Sequence, residues 1–182
     1  MERCAQLTVT ALLAGVALIL SGCAALPGNA APVVKIGVIA PFEGTGRSLG
    51  YAVLPAIKAI AAEANAGGAL GAYRVAVVAF NDNLDAQTAA EQAKALAVDP
   101  DVMAVIGPFT QATVEAAAPV FRAERLAALP VISTDPLNDD YGDEIALAEA
   151  ATRAIRDALA ADIAAHGRPT PERVAGLLAS RP

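Results

Sequence analysis

The sequence is poor in the residues that most often carry chemistry. Its 182 residues include one histidine, two cysteines and no tryptophan, and aromatic residues make up 4% of the chain. There is no phosphate-binding P-loop and no cluster of metal ligands at recognisable spacing. Basic residues never form a run, and the net charge is −6, which argues against nucleic acid as a partner. The lone histidine, His166, falls at the end of a predicted helix, where its charge complements the helix dipole. Asp139, Asp140, Asp143 and Glu144 are acidic enough for calcium but lack the spacing and glycine turn of an EF-hand, so a solvated loop is expected there. These absences point to a non-enzymatic protein without cofactor or metal.

What the chain has in quantity is small aliphatic side chains, with 55% of its residues hydrophobic. From residue 33 onward, short apolar runs alternate with helical periodicity. VVKIGVIA (33–40), YRVAVVAF (73–80), VMAVIG (102–107) and LPVIS (129–133) read as strands. Between them, residues 48–65 carry Leu49, Val53, Ala56, Ile57, Ile60 and Ala64 on one stripe, interrupted by Pro55, which either kinks the helix or marks the first turn of its regular part. Asp85 caps a helix reaching Val98, and a third helix spans about 111–125 with Val114, Ala117, Ala118 and Phe121 inward. A long amphipathic helix at 143–166 has Ile145, Ala148, Thr152, Ile155, Leu159 and Ile163 as its apolar face, and Thr170-Pro171 starts a short last helix. Near-continuous apolar strands alternating with helices predict an α/β fold, a three-layer parallel sheet with helices on both faces and right-handed crossovers. Ligands of such sheets bind beyond the carboxyl ends of the strands, which here means residues 41–47, 81–85, 108–111 and 134–140.

The first residues are expected to lie outside that fold. Residues 7–20 form an apolar run of signal-peptide length, short for a membrane span. Leu20-Ser21-Gly22-Cys23 then resembles the bacterial lipobox, in which small residues fit the peptidase cleft and the cysteine sulfur takes the lipid. The expected organisation is a lipoprotein signal peptide at 1–22, a tether at 23–32 and one lobe at 33–182, with Cys23 as the lipid attachment site. Cleavage before Cys23 removes Glu2 and Arg3 together, leaving −6, and removes Cys4, so no intramolecular disulfide can form.

Gly44-Thr45-Gly46-Arg47-Ser48-Leu49-Gly50 is a near match to a dinucleotide-binding turn, with Asp82 where a ribose-binding acid would fall. The third glycine is one residue late and Pro41-Phe42-Glu43 intervene, which sets that reading aside. A fuller match covers residues 33–134. IGVIAPFEGTGRSLG, AAEANAGGALG, NDNLDAQTAAEQAKAL, DPDVMAVIGPFTQATVEAAAPVF and LPVIS together resemble the first lobe of the type I periplasmic solute-binding proteins, in particular the leucine/isoleucine/valine-binding receptors of ABC transporters. The tail EIALAEAATRAIRDALAADIAAHGRPTPERVAGLLAS is similar to the late helices of that family, which return to the first lobe. The resemblance implies a single lobe of the type I fold: core βα units at 33–133, a linker at 134–142 standing where the second lobe would be, and returning helices at 143–182.

The same resemblance implies a lipid-anchored, extracytoplasmic component of the bacterial cell envelope, acting beside an ABC permease on an amino acid-like small molecule. Its site residues carry over as Arg47 and Leu49 in the first loop, Thr110 or Gln111 after the Gly-Pro turn, and Ser133, Thr134 and Asp135 after the fourth strand. The family's usual serine, proline and aromatic positions are altered at Gln111, Thr134–Asp135 and Leu49, and the residues of the second lobe have no counterpart, so weak or altered binding is expected. Two alternatives stay open: a protein-interaction module or sensor that uses the exposed cleft face against another lobe or a second copy, and a non-functional receptor remnant.

Overall fold

The computed structural model describes residues 30–138 and 140–180. Four strands, β1 (Val33–Ala40), β2 (Arg74–Asn81), β3 (Val102–Ile106) and β4 (Ala127–Leu129), form one sheet in the order β2-β1-β3-β4. Every neighbouring pair is parallel. Five helices connect or follow them: α1 (Arg47–Ala66), α2 (Ala86–Ala97), α3 (Gln111–Ala123), α4 (Gly142–His166) and α5 (Pro171–Ala179).

The period of two along β1 sorts the helices into layers. Val34, Ile36, Val38 and Ala40 point into one core with Leu49, Val53 and Ile57 of α1, Ala148, Ile155 and Leu159 of α4, and Val174 of α5. Ile39 points the other way, into a smaller core with Ala93 and Leu96 of α2 and Ala117 and Phe121 of α3. The expected three-layer α/β arrangement is therefore present. Gly37 faces α2, and a Cβ there would meet Leu96 at 3.0 Å, so the missing side chain lets that helix lie close to the sheet. Truncating a fully buried aliphatic such as Ile57 to alanine would cost about 2–5 kcal/mol.

Several boundaries differ from the sequence expectation. The first helix runs unbroken through Pro55, which is exposed, so the main-chain bond it cannot make falls on the solvent side. The fourth strand was expected at 129–133 but occupies Ala127–Leu129. Pro130 has no N–H to give to a ladder, and beyond it the chain is held by single bonds, Val131 N–H to the Pro108 carbonyl (3.3 Å) and Ser133 N–H to the Phe109 carbonyl (2.9 Å). Val114 and Ala118 were expected inward; they are half-buried and border an open groove at the β4 edge.

The amino ends of the strands are closed by ion pairs. Lys35 Nζ lies 2.8 Å from Asp99 and 3.5 Å from Asp101. The hydrogen bond to Asp99 is the main influence raising the Lys35 pKa and lowering that of Asp99. Asp162, fully buried near the end of α4, accepts from Arg173 Nε (2.6 Å) and the Thr170 amide (3.0 Å) and lies 2.8 Å from His166 Nδ1. Burial opposes its charge, but Arg173, the Thr170 amide and His166 together outweigh it and hold the carboxyl below the usual aspartate range. This clasp ties α4 to α5. His166 stands at the end of α4, where its ring meets the Asp162 carboxylate.

Candidate functional site

The strand order reverses direction between β1 and β3, so the crevice of this sheet lies beyond the carboxyl ends of those two strands. Each loop there is shaped by a specific main-chain constraint. After β1, the Asn81 side-chain carbonyl accepts from the amides of Phe42 (2.7 Å), Glu43 (3.2 Å) and Asn83 (3.2 Å), pinning the first loop to the end of β2. The loop folds back on α1 so closely that a Cβ on Gly50 would lie 2.2 Å from the Pro41 carbonyl oxygen. Phe42 stands edge-on to Tyr51, with ring centroids 6.1 Å apart, and Tyr51 is 61% exposed.

After β3, Gly107 adopts φ +90°, and a Cβ there would sit 2.3 Å from the Ile39 carbonyl oxygen. Only glycine lets this loop press against β1 while turning Phe109 into the core. Thr110 then caps α3 reciprocally with Thr113: its hydroxyl accepts from the Thr113 amide (3.4 Å), and its own amide donates to the Thr113 hydroxyl (3.2 Å). The first turn of α3 follows, with Gln111 exposed and bonded to Glu115.

After β4, Ser133 is held beside Phe109, one residue from Thr110, so the Thr110 and Ser133 segments are brought together. The Ser133 hydroxyl is buried and has no hydrogen-bond partner. Thr134 and Asp135 follow on the surface, and Asp135 accepts from the Leu137 amide (3.3 Å) to shape the linker. Arg47 is the exposed first residue of α1 on the other side of the crevice. Leu49 differs from the rest: it is fully buried in the larger core, beneath the loop, where it supports the crevice floor without facing it. Cys23 and Asp139 lie outside the described residues, and among those described no group of acids, histidines or cysteines is arranged to hold a metal.

Asp82 is the second polar group left incomplete at this end. It is fully buried; one carboxyl oxygen accepts from the Leu84 amide (3.1 Å) and the other has no partner. Burial raises its pKa, opposed in part by that amide. So enclosed, it is not available to a ribose hydroxyl, which removes the remaining support for a dinucleotide site. Nothing in the sequence marks Ser133 or Asp82 as unpartnered, because that depends on what the neighbouring loops fail to supply. Chemically, the crevice offers hydrogen bonds, helix-end amides and one free guanidinium at its rim. The Ser133 hydroxyl bonds to no described residue.

Comparison with known proteins agrees with this geometry. The family described as "Periplasmic binding protein" matches residues 33–170. Among solved structures, a possible leucine/isoleucine/valine-binding protein from Rhodopirellula baltica aligns with TM-score 0.55 and 22% identity over 61% of this chain and 30% of its own. A putative branched-chain amino acid ABC transporter protein from Rhodospirillum rubrum aligns with TM-score 0.52 and 24% identity, covering 57% and 31%. The branched-chain amino acid transporter substrate-binding protein of Streptococcus pneumoniae, determined in complex with isoleucine, aligns with TM-score 0.52 and 24% identity, covering 58% and 30%. These matches share the fold, and the aligned part spans about a third of each relative's length. Comparison with curated proteins gives no match. No helix among the described residues is long and apolar enough to cross a membrane. With a match over most of its length and the parallel sheet of a single type I lobe, this chain belongs to the periplasmic binding protein family.

Proposed function

We propose that the chain is a single-lobed solute-binding component of an ABC transporter of the branched-chain amino acid type, lipid-anchored through Cys23 on the extracytoplasmic side of the envelope, with weak or altered ligand binding. The linker at 134–142 stands in place of a second lobe in this reading. The observation that carries it is the Ser133 hydroxyl, buried without a partner beside Thr110 at the carboxyl edge. A buried polar group left unsatisfied costs about 1–3 kcal/mol, which a ligand's hydrogen bond relieves. The first amides of α3, behind the Thr110 cap, suit a carboxylate. Arg47 adds positive charge at the rim, Gln111 and Thr134 add hydrogen-bonding groups, and Asp135 repels a second carboxylate.

One lobe covers one side of a ligand, whereas tight pockets bury roughly 70–90% of it. Two missing charge-assisted hydrogen bonds, at about 1.5–3 kcal/mol each, weaken a micromolar site to about the millimolar range. Calorimetric titration of leucine, isoleucine and valine into the full chain tests this. Millimolar-range dissociation constants are expected, and sub-micromolar binding by the monomer would contradict the reading. The anchor is tested by Cys23→Ser, which should release, mislocalise or leave unprocessed the protein in a bacterial host; an unchanged membrane-bound form of unchanged processed mass would rule it out.

A second reading, an interaction module using the cleft face, draws on the exposed apolar groups at that end, Tyr51 and Leu137. It predicts that a partner's binding is lost when Tyr51 is replaced by serine while amino acid titrations give no heat.

A further inference from the structure

The two edges of the sheet are finished differently. At the β2 edge, Asn65 of α1 reaches across to Val75, its carbonyl accepting from the Val75 amide (2.8 Å) and its NH2 donating to the Val75 carbonyl (2.9 Å). At the β4 edge, between α3 and α5, the molecule has an apolar groove of about 370 Å³. Val114, Phe121, Leu126 and Ala128 form its lining, and Arg122 and Arg125 flank it. Among the described residues, neither arginine's side chain makes an ion pair or hydrogen bond. The helical stripe of α3 places Val114 and Ala118 toward the interior, yet both remain half-open because no described residue covers them fully.

The complementary surface is on the same chain. In the linker, Leu137 is 59% exposed. Asp135, Asp140, Asp143 and Glu144 surround it in sequence, and their carboxylates pair with no cation among the described residues. An exposed leucine amid carboxylates that pair with no described cation thus matches an apolar slot flanked by guanidiniums that pair with no described acid. The chain's own linker does not fill the slot, because the turn at Asp135–Asn138 and the Tyr141 hydroxyl donating to the Pro136 carbonyl hold it with Leu137 in solvent. Entry of a whole extra strand is disfavoured: β4 has three residues and Pro130 follows it, so main-chain pairing offers few bonds.

We propose that the groove beside β4 receives the linker of a second copy of this chain, with Leu137 inserted among Val114, Phe121 and Ala128 and its carboxylates against Arg122 and Arg125. Contact of this kind joins two different patches, so it closes as a twofold pair only if each copy gives its linker to the other. The proposal is independent of whether the crevice binds amino acids.

The test is self-association of the full chain in mild detergent, followed by sedimentation over a range of concentrations. Four proteins are compared: the natural chain, Arg122→Glu/Arg125→Glu, Asp135→Lys/Asp140→Lys, and Leu137→Ser. Circular dichroism establishes that each is folded. The natural chain should self-associate, and each variant should raise the dissociation constant by about tenfold or more. An equimolar mixture of the two charge-reversed variants should restore association, since each then meets its complement. A natural chain with one mass at every concentration overturns the proposal. So does equal association of all four proteins, or failure of the mixture to recover.

Discussion

The two ends of the sheet treat buried polar groups in opposite ways. At the amino end, Asp162 is enclosed and fully used, with Arg173, the Thr170 amide and His166 gathered on it, and Lys35 is paired with Asp99 and Asp101. At the carboxyl end, the Ser133 hydroxyl and one oxygen of Asp82 are enclosed and left without partners. Folding stability alone favours the first arrangement, since an unsatisfied buried group is a net cost. These incomplete groups lie at the end of the sheet where parallel α/β sheets generally bind ligands.

The largest effect should come from breaking the satisfied end. Asp162→Ala leaves Arg173 and the Thr170 amide without their acceptor and should cost about 2–4 kcal/mol, read as a lower thermal midpoint at neutral pH. Because the folded Asp162 pKa is depressed, its contribution is complete above the ordinary carboxylate value of 3.8 and is lost as pH falls through the lower folded value. The gap between natural chain and variant should therefore close only in strong acid.

Next is the hinge of the unsatisfied end. Gly107→Ala places a Cβ against the Ile39 carbonyl at φ +90° and should cost about 1–3 kcal/mol. The strain lies in the loop that carries Thr110 and abuts Ser133, so ligand affinity should fall along with stability.

Asp82 should act smaller and with the opposite sign to Asp162. Its folded pKa is raised by burial, so the folded state binds a proton that the unfolded chain does not, and stability should rise as pH drops from neutral toward 3.8. Urea midpoints followed from pH 7 down to pH 4 should show a stabilising contribution in the natural chain that Asp82→Asn lacks. An identical slope in both would assign the pH dependence elsewhere.

Much of this contrast is tertiary, which is why only part of it was legible in the sequence. Layers and elements follow from local pattern: β1 alternates between two cores, the Leu49–Ala64 stripe is buried except for a half-open Ala56, and Asp85 and Thr170 cap helices as expected. The carboxyl-end location proposed for the site rests on strand-helix alternation. Periodicity does not reveal what a side chain meets across the fold. Asp162 sits on a helix whose other charged residues are at least partly exposed, and its burial depends on Arg173 eleven positions later. Leu49 has the right place in the chain for a ligand contact, but helical geometry turns it into the core. Val114 and Ala118 carry the signature of burial without a neighbour to bury them. The fourth strand shifted because Pro130 removes a donor that its apolar neighbours conceal.

The smallest change in stability gives the most direct test. Ser133→Ala removes a hydroxyl that has no partner in the free protein, so its thermal midpoint should be unchanged or slightly higher. If that hydroxyl serves a ligand, isoleucine titrated into the full chain should bind in about the millimolar range, and the variant should bind about tenfold more weakly. Loss of affinity without loss of stability is the result this account predicts. Equal affinity in the two proteins, or no binding by either, would contradict it.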